Sequence, residues 1–550
     1  MRARYWRLWV VTGAALLSAC GGGGGGGGAG IAALGSGTSS AGTGGSSGSS
    51  ANGGSTTGIT GPTVALSGTA SYDSVPNDSG ALNYSAMVSR PVRGASVEIV
   101  DASANVVATA TTDASGAYSA SVPADTTLFV RVKAQMSQGG SGPSWDVTVR
   151  DNTQSNAIYA METASFSSGS AALTRDVHAP SGWNGSSYAS TRVAAPFALL
   201  DTVYVAQAKL LSVAPNAVLP SLRIFWSVNN VSADGNPALG QIGTTSFSNL
   251  SDGRAIYVLG KADVDTDEYD SPVVAHEWGH YYQSVFSRDD SPGGDHAMND
   301  RLDRRVAFSE GWGDAWSGIA LGRGTYTDSV GPGQAQGADV DLSVGASGNP
   351  GWFNESSIQS VLWRLNAQVG FQPIHAAMSS AVFKDGVPVT SIHPFAAAFA
   401  GVAPGSAAAL NSLLVGQQIS AAPNDPYGLS ETHDGGIGGA ASTLPMYRGA
   451  VAGGTSSACV SNLAGGGNKL GSYVYLKFNL PGAGSHRIQV NGPAGSDPDF
   501  SVYHDGQLAL FNGYGTSESG TLDLPAGDSV LAVTDYNDSS AATCFSVTIQ

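Results

Sequence analysis

The residue order predicts a multidomain chain, with β-rich units on either side of a central α+β domain. Three observations predict it. Strand-like runs separated by Gly, Pro and Asp turns fill residues 62–135 and 455–550. Between them, strand-like runs lead into segments with helical periodicity. The length of 550 residues suffices for about three domains.

Composition narrows the function classes. Charged residues are 12% of the chain and the net charge is −17, which argues against nucleic acid or an anionic membrane surface as an electrostatic partner. Nothing in the residues sets an oligomeric state.

The chain opens with a basic stretch, Arg2, Arg4 and Arg7, and an apolar stretch from Leu8 to Leu17. That stretch is too short to span a bilayer and reads as a signal peptide, residues 1–20. It ends in Leu17-Ser18-Ala19-Cys20, which resembles the bacterial lipoprotein box. The resemblance implies cleavage before Cys20, lipidation of Cys20, and an extracytoplasmic protein anchored by lipid to a bacterial membrane. Gly21 is not the aspartate of inner-membrane retention, so the outer membrane is favoured. An ordinary signal peptide and a secreted protein are the alternative. Residues 21–61 are nearly all Gly, Ser, Ala and Thr and read as a disordered linker.

Strand-like runs in 62–135 include Val64–Ser67, Ala95–Val100 and Leu128–Val132. Arg93-Gly94-Ala95-Ser96-Val97 and the Thr112-Asp113-x-x-Gly116-x-Tyr118 stretch resemble the carboxypeptidase regulatory-like β-sandwich, which implies a spacer or substrate-presenting unit. Residues 136–185 read as a connecting segment. Phe197, Leu200, Tyr204 and Leu211 share one face of a helix expected over Thr191–Leu211. Leu222–Trp226 and Ala255–Leu259 read as strands. A further helix is expected to begin with Ser271 as cap and Pro272 in its first turn. The central domain is expected to run over 186–448.

That helix carries His276-Glu277-Trp278-Gly279-His280. Residues i and i+4 lie on one helical face, so two imidazoles can hold one metal ion while the adjacent carboxylate handles a water. Only 8 of the 42 acidic residues are Glu, so chance produces the motif in roughly one chain in 500 of this composition. Catalytic zinc sites use three protein ligands and leave a position for water. Thirty residues after His280 the chain reads Ser309-Glu310-Gly311-Trp312-Gly313-Asp314. Glu310 is the candidate third ligand. Asp314, one turn on, can accept the free N–H of a ligand imidazole. His296 lies between the motifs in a Gly-Gly-Asp-His loop and ranks below Glu310.

The two motifs together resemble the glutamate-zincin metallopeptidases, with thermolysin and the fungalysins as familiar members. The resemblance implies a zincin catalytic domain and a peptidase acting on protein or peptide substrates, with an endopeptidase the working assumption. It implies Zn2+ held by His276, His280 and Glu310, with Glu277 as general base and Asp314 behind a ligand. In thermolysin-like enzymes a Tyr and a downstream His stabilise the oxyanion. No motif fixes those positions here. Tyr281, Tyr282, His375 and His393 are candidates with ready structural roles, and His433, in Glu431-Thr432-His433-Asp434, is preferred.

The acidic run Asp263, Asp265, Asp267, Glu268 and Asp270 is either a solvated loop or a structural Ca2+ site. The runs Tyr473–Phe478, Arg487–Val490, Phe500–Tyr503 and Val530–Val533 resemble the bacterial pre-peptidase C-terminal β-sandwich. Cys459 and Cys544 lie near its two ends and are expected to pair in an oxidising compartment. An inactive surface adhesion or scaffold protein, and a zinc hydrolase of a non-peptide bond, are the other readings.

Overall fold

A computed structural model describes residues 61–437 and 443–550. The expectations for residues 1–60, including Cys20, lie outside them. The chain is multidomain and rich in β-sheet, and the described residues form two large hydrophobic cores and one small cluster.

The first strand, Thr63–Ser74, alternates buried and exposed side chains, with Val64, Leu66, Ala70 and Tyr72 facing inward. It pairs antiparallel with Ala117–Pro123 and parallel with Val177–Ala179. A larger sheet runs in the order Ser246–Leu250, Gly253–Val258, Leu222–Trp226, Trp145–Asp151, Thr127–Gln138, Ala95–Asp101, Val106–Thr111. The expected boundaries at 135 and 185 fall inside this sheet, because Leu222–Trp226 pairs in parallel with both Trp145–Asp151 and Gly253–Val258. One core therefore joins the N-terminal strands to the central helices.

Helix α1, Ala195–Leu211, has Pro196 in its first turn and buries Phe197, Leu200, Val203 and Leu210. Helix α2 is Ser271–Phe286. Ser271 is its first residue rather than its cap, and Asp270, at the cap position, spends its carboxylate elsewhere, on Asn77 and Ser329. Helix α3, Arg304–Leu321, is capped by Asp303, which accepts the Arg305 N–H, and it stops at left-handed Gly322. Helix α4, Glu355–Val369, is capped by Asn354, which accepts the Ser357 N–H.

Two sheets form the C-terminal unit. Arg448–Gly449, Tyr473–Leu480, Gly527–Asp535, Pro498–Tyr503 and Gln507–Phe511 make one, and Thr455–Val460, Thr543–Ile549, Gly484–Asn491 and Ser517–Leu524 the other. Leu476, Phe478, Val502 and Leu531 of the first share a core with Ile488, Val490, Phe545 and Val547 of the second. Cys459 and Cys544 face each other across antiparallel strands and are disulfide-bonded.

Candidate metal centre

Helices α2 and α3 pack closely because glycine stands where they meet. A Cβ on Gly313 would lie 2.6 Å from His276 Nε2, and one on Gly279 would lie 3.3 Å from the Gly313 Cα. The absent side chains let the two backbones close until residues on both helices share one space. Stacked Trp278 and Trp316 flank this contact, and Trp312 Nε1 donates to the Gly279 carbonyl at 3.0 Å.

Three donor atoms converge there. His276 Nε2 lies 3.1 Å from His280 Nε2 and 3.2 Å from Glu310 Oε2, and His280 Nε2 lies 3.6 Å from that same oxygen. All three residues are buried. A tetrahedral ion with bonds of about 2.0–2.1 Å holds its donors roughly 3.3 Å apart, so the set has zinc-sized spacing. Neither imidazole is free to turn. His276 Nδ1 meets Asp314 Oδ1 at 2.9 Å, and His280 Nδ1 meets Gln283 Oε1 at 3.1 Å. A carboxylate can only accept, so His276 carries its proton on Nδ1 and turns the Nε2 lone pair toward the cluster.

Electrostatics agree with a site made for positive charge. Burial opposes protonation of His276, but hydrogen bonds to Asp314 and Glu310 outweigh it and raise its pKa well above the usual range. At His280 burial again opposes, yet Glu310 lifts the pKa to about 9. Burial alone would raise Glu310, whereas the surrounding His296, His280 and His276 hold its carboxyl well below the ordinary range. A metal cation would take the place of those imidazole protons.

Glu277 is fully buried beside these three residues, and its Oε2 accepts the Phe247 backbone N–H at 2.6 Å. Phe247 belongs to Ser246–Leu250, the edge strand of the large sheet.

The oxyanion candidates have partners of their own, His433 among them. Its Nδ1 accepts from Gly435, its carbonyl from Trp352, and its ring packs on Phe353. Among the described residues, none of these contacts involves His276, His280 or Glu310. Tyr281 donates to the Pro220 carbonyl, Tyr282 pairs with His375, and His393 pairs with Glu431. The histidine that does reach the cluster is His296. Its Nε2 lies 3.6 Å from Glu310 Oε2 and 3.4 Å from Glu355 Oε2. Glu355 is likewise buried at the start of α4. The one sequence signal for His296 is Gly293-Gly294 just before it, both with positive φ, which folds the loop back toward the helices.

The acidic run divides. Asp263 is outward and accepts from Gly333, and Glu268 forms a buried ion pair with Arg192. Asp265 and Asp267 converge with Asp328, far on in the sequence, so that one ligand atom from each lies within 4.8 Å of the others. Asp267 is 3% exposed, its Oδ2 is held by Thr245, and its Oδ1 has no hydrogen-bond partner. Asp265 Oδ1 and Asp328 Oδ1 are in the same position.

No family model matches this chain, and no curated protein does. Solved structures with local likeness include the pre-peptidase C-terminal domain of collagenase from Bacillus anthracis, 13% identical over 19% of this chain and 94% of that one, with a TM-score of 0.16. PliG, a periplasmic inhibitor of g-type lysozyme from Aeromonas hydrophila, is 13% identical over 19% of this chain and 99% of that one, with a TM-score of 0.13. A family 35 carbohydrate-binding module from Clostridium thermocellum is 17% identical over 14% of this chain and 68% of that one, with a TM-score of 0.11. Likenesses of this order carry no argument about what this chain does.

Proposed function

We propose that this chain is a zinc-dependent metalloendopeptidase of the glutamate-zincin type, with a zincin catalytic domain between β-sandwich units, acting on extracytoplasmic proteins or peptides from a lipid anchor at Cys20. The observation that carries the reading is the spacing of His276 Nε2, His280 Nε2 and Glu310 Oε2 at 3.1–3.6 Å, with Glu277 next to the first ligand.

His276, His280 and Glu310 would hold Zn2+, which supplies Lewis acidity toward a water and a peptide carbonyl. Glu277 takes the proton from the attacking water and returns it to the leaving amine. The Phe247 N–H, 2.6 Å from its carboxylate, aims that base. Asp314 and Gln283 keep both ligand imidazoles turned inward. His296 lies within reach of the proposed ligand set and joins His433 as a candidate polar neighbour of the reacting centre.

We further infer a structural Ca2+ at Asp265, Asp267 and Asp328. One buried and two half-buried carboxylates, each with an oxygen lacking a hydrogen bond, suit a hard cation with oxygen ligands.

Metal analysis combined with a casein-cleavage assay tests the main reading. One zinc per chain is expected, with cleavage abolished by chelator and restored by zinc. A protein that binds zinc but cleaves no peptide would end the peptidase reading.

A further inference from the structure

The C-terminal β unit touches the loop that brings His296 to Glu310 and the first turn of the helix that carries Glu310, through buried and part-buried contacts. On one side is the 287–303 loop, which joins α2 to α3 and carries His296. Asn468, in the loop between two strands of the C-terminal unit, is 7% exposed. Its Nδ2 donates to the Gly293 carbonyl at 3.0 Å and to the Gly294 carbonyl at 2.9 Å. The Gly294 carbonyl also faces His296 Nδ1 at 3.1 Å. A carbonyl can only accept, so that nitrogen carries the proton and the ring is turned with Nε2 toward Glu310 and Glu355. The Asn468 backbone extends the grip: its carbonyl accepts the Asp303 N–H at 2.8 Å, and the Leu470 N–H donates to the Arg301 carbonyl at 2.8 Å.

On the other side is the first turn of α3. Tyr475 donates its hydroxyl to Asp303 Oδ2 at 2.6 Å, and Asp303 is the residue that caps the helix. Arg305 Nη1 donates to the Tyr503 hydroxyl at 2.9 Å, with the Tyr473 ring 4.3 Å from its guanidinium. Arg305 is 2% exposed. Glu310 lies five residues further along the same helix. A loosely tethered accessory module would leave these groups to water.

We propose that Asn468 and Tyr475 are positioning residues of the metal centre, so that the C-terminal β unit sets the geometry at Glu310. This rests on reading His276, His280 and Glu310 as metal ligands. Partners bonded directly to a metal ligand alter affinity by about 10–100-fold when removed; Asn468 and Tyr475 act one contact further out, so the low end of that range is the expected size.

The test uses the full chain loaded with Co2+, comparing wild type with Asn468→Ala and Tyr475→Phe. Asn479→Ala is the control, an exposed residue of the same unit bonded to Asp528. Visible absorption reads coordination geometry, and chelator competition reads affinity. Hydrogen exchange of the metal-free protein reads the 293–310 backbone. Asn468→Ala is expected to shift the cobalt spectrum, weaken binding about tenfold, and speed exchange over 293–303, while the control matches wild type. Tyr475→Phe keeps its ring and is expected to shift the spectrum with exchange changes at the start of α3. Wild-type spectra and affinity in both variants would overturn the proposal and leave the metal site standing. If wild type takes up no cobalt, the ligand reading fails instead. Exchange then decides the clamp by itself: faster exchange in Asn468→Ala retains it, and unchanged exchange removes it.

Discussion

His276 Nδ1 and Asp314 Oδ1 stand 2.9 Å apart across the α2–α3 interface, although 38 residues separate them in sequence. The contact fixes the tautomer of a proposed ligand imidazole and directs its lone pair at His280 and Glu310. Asp314→Ala is therefore expected to weaken zinc binding by about 10–100-fold while the protein stays folded. Chelator competition measures this. Unchanged affinity would mean that the imidazole is oriented by something else.

Gly313 makes a sharper steric prediction. A methyl group there meets His276 Nε2 at 2.6 Å, a separation at which something must move. Gly313→Ala is expected to abolish stoichiometric zinc uptake with helix content retained. Gly401→Ala, where a Cβ meets nothing within 4 Å, is the matched control. Full zinc occupancy in Gly313→Ala would show that α3 can retreat without cost to the site.

The acidic cluster is checked by calcium itself. Added Ca2+ is expected to raise the thermal midpoint of wild type, with stabilisation of about 2.7 kcal/mol at a hundredfold excess over Kd. Asp328→Asn, which removes one of the three carboxylates, is expected to lose most of that increment. An increment of equal size in both proteins would place the calcium elsewhere.

Asp499 supplies a pH dependence in the C-terminal unit. Burial, with Asp497, Glu518 and Asp535 nearby, pushes its pKa to about 7, against about 4 for a free carboxyl. A folded-state pKa above the unfolded one means that the folded protein binds the extra proton. The contribution to stability is complete below about pH 4 and is lost as the pH rises through about 7. Asp499→Asn is expected to stabilise the protein more at pH 8 than at pH 5, because the penalty it removes grows from about pH 4 up to about pH 7. Denaturation at the two pH values measures it, and an equal effect at both would contradict the assignment.

What could be read from the sequence was local. Leu222–Trp226 appears as a strand with the expected bounds, and the expected runs near Tyr473, Arg487, Phe500 and Val530 lie within strands. Alternation and β-branched content are properties of neighbouring residues. His276, His280, Glu310 and Asp314 could be named because a helix brings i and i+4 together and one helix pair brings the two motifs together. Features that depend on distant pairing stayed hidden. Asp328 joins Asp265 only because Asp265 lies opposite Val330 in a strand pairing. The large sheet crosses the expected domain boundaries because parallel strands pair across long connections. His296 looked like a loop residue and is one, but Asn468, from the far end of the chain, helps hold that loop against Glu310.

The most direct test of the central claim is Glu277→Gln with zinc content measured in the same preparation. Glu277 is the proposed base, whereas the proposed ligands are His276, His280 and Glu310, so the variant is expected to keep one zinc per chain and lose peptide cleavage by at least about 10²–10⁴-fold. Zinc-replete Glu277→Gln that cleaves peptide at the wild-type rate would contradict the account.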